Sequence, residues 1–339
     1  MTNYQKINKL MERGRELLGS KYALLGGAMT WISDANLVSA MANRGMFGVL
    51  ASGAMDGIVL SREVASTQLK TPYNFGVNII LMNPHLHDLV DVCGAAHVSH
   101  IVFAGGIPDK TIIDKSHSYG MRVFAFAPIL SIAKRLFKHG IDALILEGNE
   151  AGGHVGSVST MVLIQDILLN MKEYPIVVAG GILRGEVFAS LLQLGAVACQ
   201  MGTIFACSRE SGAHPNFKRA FLQAKGRDAA TPVQLHKKFS IAPVRAIANR
   251  ATEEFVEKQR EIIARFERGE ISAEDGQLML EHFWVGALRI AVKDGNVDRG
   301  SLMSGQIVQL ITKEKSLSEI ISDIMNEAEL YLNNTVCSG

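Results

Sequence analysis

Eight short apolar runs, each followed by a helix-like stretch, recur between Tyr22 and Phe205, and this repetition restricts the fold more than any other feature. The runs occupy residues 22–27, 47–51, 75–81, 101–104, 122–127, 143–146, 176–179 and 198–201. They are continuous rather than alternating, which marks strands covered on both faces and so a parallel sheet. Between them, segments such as 34–43, 84–93, 129–139 and 185–194 read as helices, the first with Ser33 as its N-cap. So many strand–helix units in so short a span favour a closed TIM (β/α)8 barrel, an α/β fold. An open doubly wound sheet would stop earlier and carry a G-x-G-x-x-G turn, which is absent where it would be needed.

The character changes near Ser208. Residues 252–268 form a charged amphipathic segment, 273–287 look helical, 295–306 are polar and glycine-rich, and 317–332 resemble a closing helix. The expected organisation is an N-terminal helix (1–21), a barrel core (22–207), a helical lid or insertion (208–300), then a return loop, closing helix and tail (301–339). Lys+Arg (34) nearly balance Asp+Glu (33), so net charge offers no case for nucleic acid or an anionic membrane. The longest apolar run, 123–133, contains Pro128 and is too short to span a bilayer. Cys93, Cys199, Cys207 and Cys337 form no C-x-x-C pair and no zinc spacing, and the charged N-terminus has no apolar signal core. A reduced, cytoplasmic protein acting on a small molecule is expected, with no bound metal.

Chemistry concentrates where strands end. The run 143–146 leads into Glu147-Gly148-Asn149-Glu150-Ala151-Gly152-Gly153-His154-Val155-Gly156, with two carboxylates, close-approach glycines and a histidine able to exchange protons near neutrality. The last two strands end in Ala179-Gly180-Gly181-Ile182 and Gln200-Met201-Gly202-Thr203, the barrel position where backbone amides commonly hold a phosphate. Asn78 closes the third strand with an amide that can read a heterocycle edge, and Met29 and Trp31 follow the first strand as candidate walls. His85 and His87 read as the solvated start of a helix, and His97 and His100 are read the same way.

These blocks resemble the FMN-dependent nitronate monooxygenase (2-nitropropane dioxygenase) superfamily, whose fold is a TIM barrel with a helical lid. Its mark, Glu-Gly-x-Glu-Ala/Ser-Gly-Gly-His-x-Gly, stands at 147–156; Gly76-Val77-Asn78 and Ala213-His214-Pro215 also fit. Within it, Gly27-Ala28-Met29-Thr30-Trp31 is nearer the Gly-Gly-Met-x-Trp of the FMN-dependent, FabK-like enoyl-acyl-carrier-protein reductases than the Ala-Pro-Met-Ala-Gly of nitronate monooxygenases. The chain departs from its relatives at Gly26, Ala28, Ala51 and Ile107.

The resemblance implies bound FMN: Gly180, Gly181, Gly202 and Thr203 on its phosphate, Asn78, Glu147 and Gln200 on the ribityl chain or ring, Met29 against the ring, and Gly152 and Gly153 in the cofactor loop. His154 is the implied catalytic residue. Two activities follow from it: NAD(P)H-dependent reduction of trans-2-enoyl thioesters in fatty acid synthesis, or oxidation of alkyl nitronates with O2. A non-catalytic flavin-binding protein is a third reading. An acyl carrier protein and a second copy of the chain are candidate partners, the former facing Lys218, Arg219, Lys237, Lys238, Arg245 and Arg250.

Overall fold

The computed structural model describes residues 4–236 and 243–335, so Lys237, Lys238 and Cys337 lie outside the described residues. Strands β1 (Leu24–Gly26), β2 (Phe47–Ala51), β3 (Gly76–Ile80), β4 (His100–Ala104), β5 (Arg122–Phe126) and β6 (Ala143–Glu147) pair in sequence. After the short β7 (Gly153–His154), β8 (Ile176–Ala179) and β9 (Ala198–Met201) complete a closed parallel barrel, the expected TIM architecture. Closure is visible at Leu25, which is in register with Phe47 of β2 on one side and Gln200 of β9 on the other. All residues of β2, β8 and β9 are buried, as continuous apolar runs require. Phe47, Phe103 and Phe124 are fully buried, each contributing about 1.5–3 kcal/mol by leaving water.

Expected strand limits hold to within two residues, and local chemistry accounts for one correction. The first barrel helix, Ala35–Asn43, is capped not by Ser33 but by Asp34, whose Oδ1 accepts from the amides of Asn36 and Leu37 at 3.1 Å. Ser33 instead accepts from Met29 N and donates to Gly27 O, pinning the loop after β1. The short helices Gln5–Leu10 and Glu12–Leu18 bury Ile7, Met11 and Leu18, the first packed on the closing helix and the second reaching the amino-terminal end of the barrel, where Leu17 O meets His100. Gly14 is required there, because a methyl group on it would lie 2.0 Å from Val197 O.

Beyond the barrel, Arg250–Glu267 and Ala273–Val292 pack as a helical hairpin. The hairpin has its own apolar cluster of Val244, Phe255, Ile262, Leu280 and Trp284. The second helix runs five residues past the expected 287, because Leu288, Ala291 and Val292 enter the main core. Strand β11 (Val244–Ile247) pairs with both β7 and β10 (Ala229–Ala230), a small antiparallel sheet that ties the hairpin to the loop after β6. The closing helix Leu317–Thr335 lies along Gly185–Leu194. Among the described residues, no helix is long and apolar enough to cross a membrane, and Cys93, Cys199 and Cys207 are buried free thiols.

Candidate functional site

The carboxyl ends of the strands carry a set of polar groups without partners. Glu147, Ala179 and Gln200 stand at one level across β6, β8 and β9. Glu147 makes no side-chain hydrogen bond or ion pair among the described residues. The residue is partly exposed, but the crowded surroundings of its carboxyl desolvate the charged form and push the pKa up to about 8. Gln200 is 8% exposed, and its amide finds no partner among the described residues. A methyl group on Gly27 would lie 3.2 Å from the Gln200 Cδ, so glycine leaves the amide room. Asn78 does not close β3 as expected but sits at its middle, level with Ala51 at the end of β2. It donates from Nδ2 to Val102 O at 3.0 Å and leaves Oδ1 open, while buried Ser52 donates to Asn78 O at 2.5 Å.

The turns after β8 and β9 leave donors free. Gly180 (φ 93°) and Gly181 (φ 67°) are left-handed, a conformation costly for any residue with a Cβ. Among the described residues, the backbone N–H groups of Gly180, Gly181 and Gly202 donate to nothing. Thr203 accepts at Oγ1 from Gly305 N at 3.1 Å, which leaves its hydroxyl proton to donate. Met29 lies over this corner, its Sδ 3.6 Å from the position of a methyl group on Gly202.

The two carboxylates of the 147–156 block have different work. Glu150 accepts from Thr160 N at 3.1 Å, and its Cγ lies 3.0 Å from the position of a methyl group on Gly181, so it braces the turn after β8. Gly152 permits a backbone crossing, since a methyl group on it would lie 2.5 Å from Gly305 N. The return segment thus ties the loops after β6 and β9 together, with Gln306 N donating to Glu150 O. Gly153 (φ 76°) and His154 form β7, and Arg245, opposite Gly153, donates from Nε to Asn149 O at 2.9 Å. His154 is 44% exposed at its side chain, and its Nε2 lies 2.9 Å from the Glu281 Oε2 on the second hairpin helix. Trp31, at φ 67°, donates from Nε1 to Val285 O of the same helix at 3.1 Å.

Several sequence expectations need correction. His100 is not solvated: it is 2% exposed at the far end of the barrel, between Leu17 O and Ser99 Oγ, each at 2.8 Å. Burial lowers its pKa to about 4. Nor do the four of the six basic residues that are described make one exposed patch. Lys218 is buried on Ser208 O and Glu314, and Arg245 is half-buried on Asn149 O and Ala229 O. Arg219 is exposed, and Arg250 pairs with Glu254 at 3.3 Å. Conversely, the sequence reading missed Ser52, Thr160 and Glu281, none of which belongs to a local motif.

A glycine cradle with free amides, unpartnered Asn78 and Gln200 groups and a histidine over the mouth is a site with family relatives. The nitronate monooxygenase family model matches residues 12–95 and 87–327. The chain belongs to that family. The structure of FabK from Thermotoga maritima is similar, with a TM-score of 0.83 and 33% identity over 96% of this chain and 98% of that one. A (3aS,4S,5R,7aS)-5-hydroxy-7a-methyl-1-oxo-octahydro-1H-indene-4-carboxyl-CoA dehydrogenase from Mycobacterium tuberculosis is 28% identical, covering 94% of this chain and 96% of its own. A probable nitronate monooxygenase from Staphylococcus saprophyticus is 26% identical, covering 96% and 99%. The protein is therefore an FMN-dependent oxidoreductase of the nitronate monooxygenase family, with a FabK-like branch affinity.

Proposed function

We propose that this protein reduces trans-2-enoyl thioesters with NAD(P)H as the electron source. The observation that carries the reading is the polar set at the strand ends, which fits FMN: three free amides suited to a phosphate, with Asn78 Oδ1, the Gln200 amide and the Glu147 carboxyl unpartnered beside them. The likeness to FabK over nearly the whole chain supports the reductase branch, and the CoA thioester named for the mycobacterial relative supports a thioester substrate. Bound FMN would supply hydride transfer between the nicotinamide and the β-carbon of the enoyl thioester.

In this reading the amides of Gly180, Gly181 and Gly202 and the Thr203 hydroxyl hold the phosphate. Asn78, Glu147 and Gln200 address the ribityl chain and ring edge, Glu147 as an uncharged hydrogen-bond donor. Met29 lies against the ring. Gly152 and Gly153 act through the loop, one by admitting Gly305 and the other by turning the chain into β7. His154 polarises the thioester carbonyl or delivers the proton to the α-carbon, so His154→Ala should slow turnover by about 10²–10⁴-fold. An acyl carrier protein as the thioester's carrier and a homodimeric assembly belong to the same proposal.

The match to the nitronate monooxygenase family favours a second reading, oxidation of alkyl nitronates by O2, with His154 orienting the nitronate or deprotonating a nitroalkane. Anaerobic addition of NADH or NADPH to the purified flavoprotein separates the two. Rapid loss of flavin absorbance, reversed by a short enoyl thioester, is expected. Flavin that ignores both nicotinamides but is reduced by a nitronate would replace the first reading with the second.

A further inference from the structure

We propose that Glu281 is the positioning residue for His154, so that the site is complete only when the helical hairpin is seated on the barrel. This rests on the reading that His154 acts on the substrate. Glu281 lies 127 residues from His154 in the chain, on the helix Ala273–Val292, and its Oε2 is 2.9 Å from Nε2. A carboxylate can only accept, so at this distance Nε2 carries the proton. Nδ1, which has no partner among the described residues, is then the nitrogen left for substrate. It is an acceptor in the neutral ring and a donor in the imidazolium. A half-exposed imidazole without this contact would be free to change rotamer and tautomer.

The contact is specified by more than one pair of atoms. Glu281 and Val285 are four residues apart and share a helix face. That face meets the barrel mouth twice, at His154 and through Val285 O, which accepts from Trp31 Nε1 at 3.1 Å. Trp31 holds φ 67°, a strained conformation for a bulky residue that persists only where surrounding contacts over-determine it. One to three turns further along the same helix, Leu288, Ala291 and Val292 enter the main core, while the main chain of His154 is held by pairing with Val244. Both partners are therefore anchored by contacts other than their own, and the carboxylate sets the ring rather than the ring placing the carboxylate. Supporting groups of this kind orient a functional imidazole by holding its other nitrogen.

The test compares FMN-loaded wild type, Glu281→Ala, Glu281→Gln and His154→Ala in separate half-reactions, together with ¹⁵N spectra of the His154 ring. Glu281→Ala should slow reoxidation by a short enoyl thioester about 10–100-fold, the range for loss of a supporting partner. KM should stay within about twofold and flavin reduction by the nicotinamide should be unchanged. Glu281→Gln, whose amide oxygen still accepts from Nε2–H, should recover most of the rate. The ¹⁵N spectra should show a single Nε2–H tautomer in wild type and a mixture in Glu281→Ala. Reoxidation within twofold of wild type in Glu281→Ala, while His154→Ala is impaired, would overturn the positioning role and leave the catalytic reading intact. A rise in KM alone would also overturn it, reducing Glu281 to a seat for the hairpin. Unimpaired reoxidation in His154→Ala would remove the reading on which the inference stands.

Discussion

Replacing Glu147 with glutamine preserves side-chain size and removes one ionisable proton from the barrel mouth. Burial without a polar partner moves this carboxyl from 4.5 to about 8 in the folded protein. Below pH 4.5 both folded and unfolded chains hold the proton. Between 4.5 and 8 the unfolded chain releases it and the folded chain keeps it, so stability falls as pH rises, by about 1.4 kcal/mol per pH unit. Above about 8 the loss is complete. The glutamine variant lacks this slope, and every other titrating group is common to both proteins. Urea unfolding of FMN-free wild type and Glu147→Gln should therefore show a stability difference that shifts in favour of the variant. The shift should be about 3 kcal/mol between about pH 5 and pH 7, and about 4 kcal/mol by about pH 9. A difference that stays constant within about 0.5 kcal/mol across that range would mean that the folded-state carboxyl titrates normally, and the buried-acid argument would fail.

Two further substitutions separate the turn proposed to hold the phosphate from the scaffold. Gly181→Ala places a methyl group at φ 67° and 3.0 Å from Glu150 Cγ, and should cost about 1–2 kcal/mol while reducing bound flavin; unfolding midpoint and flavin content per chain report both. Gly185→Ala puts a methyl group 2.1 Å from Ile324 O where the closing helix crosses, and should destabilise by about 1–3 kcal/mol. Turnover per bound flavin should stay unchanged, and a selective loss of turnover would contradict the assignment of this crossing to the scaffold.

The strands were legible because a parallel barrel strand is buried on both faces, and that demand is written locally as an unbroken apolar run. The runs at 47–51, 176–179 and 198–201 match β2, β8 and β9 residue for residue. The glycine turns were legible for a similar reason, since left-handed backbone at Gly180 and Gly181 must be met by the residue standing there. Caps were less so: Ser33 and Asp34 are both competent, and only the loop after β1, which engages the Ser33 hydroxyl, decides between them.

By itself the sequence determined the barrel, the order of its strands and the loops that crowd its mouth, because each follows from residues next to one another in the chain. The tertiary structure alone decided what those loops do. Glu147 and Glu150 are three residues apart and alike in type, yet one faces protein without a partner and holds its proton, while the other takes the Thr160 amide. His100 looked like a surface histidine until the N-terminal helices covered it and Leu17 O reached its ring. Glu281 carries no motif at all, and it meets His154 only because two helices fold back across the barrel. Such pairings join distant parts of the chain, and a side chain's ionisation is set by its surroundings rather than by its type, so neither leaves a local periodicity to read.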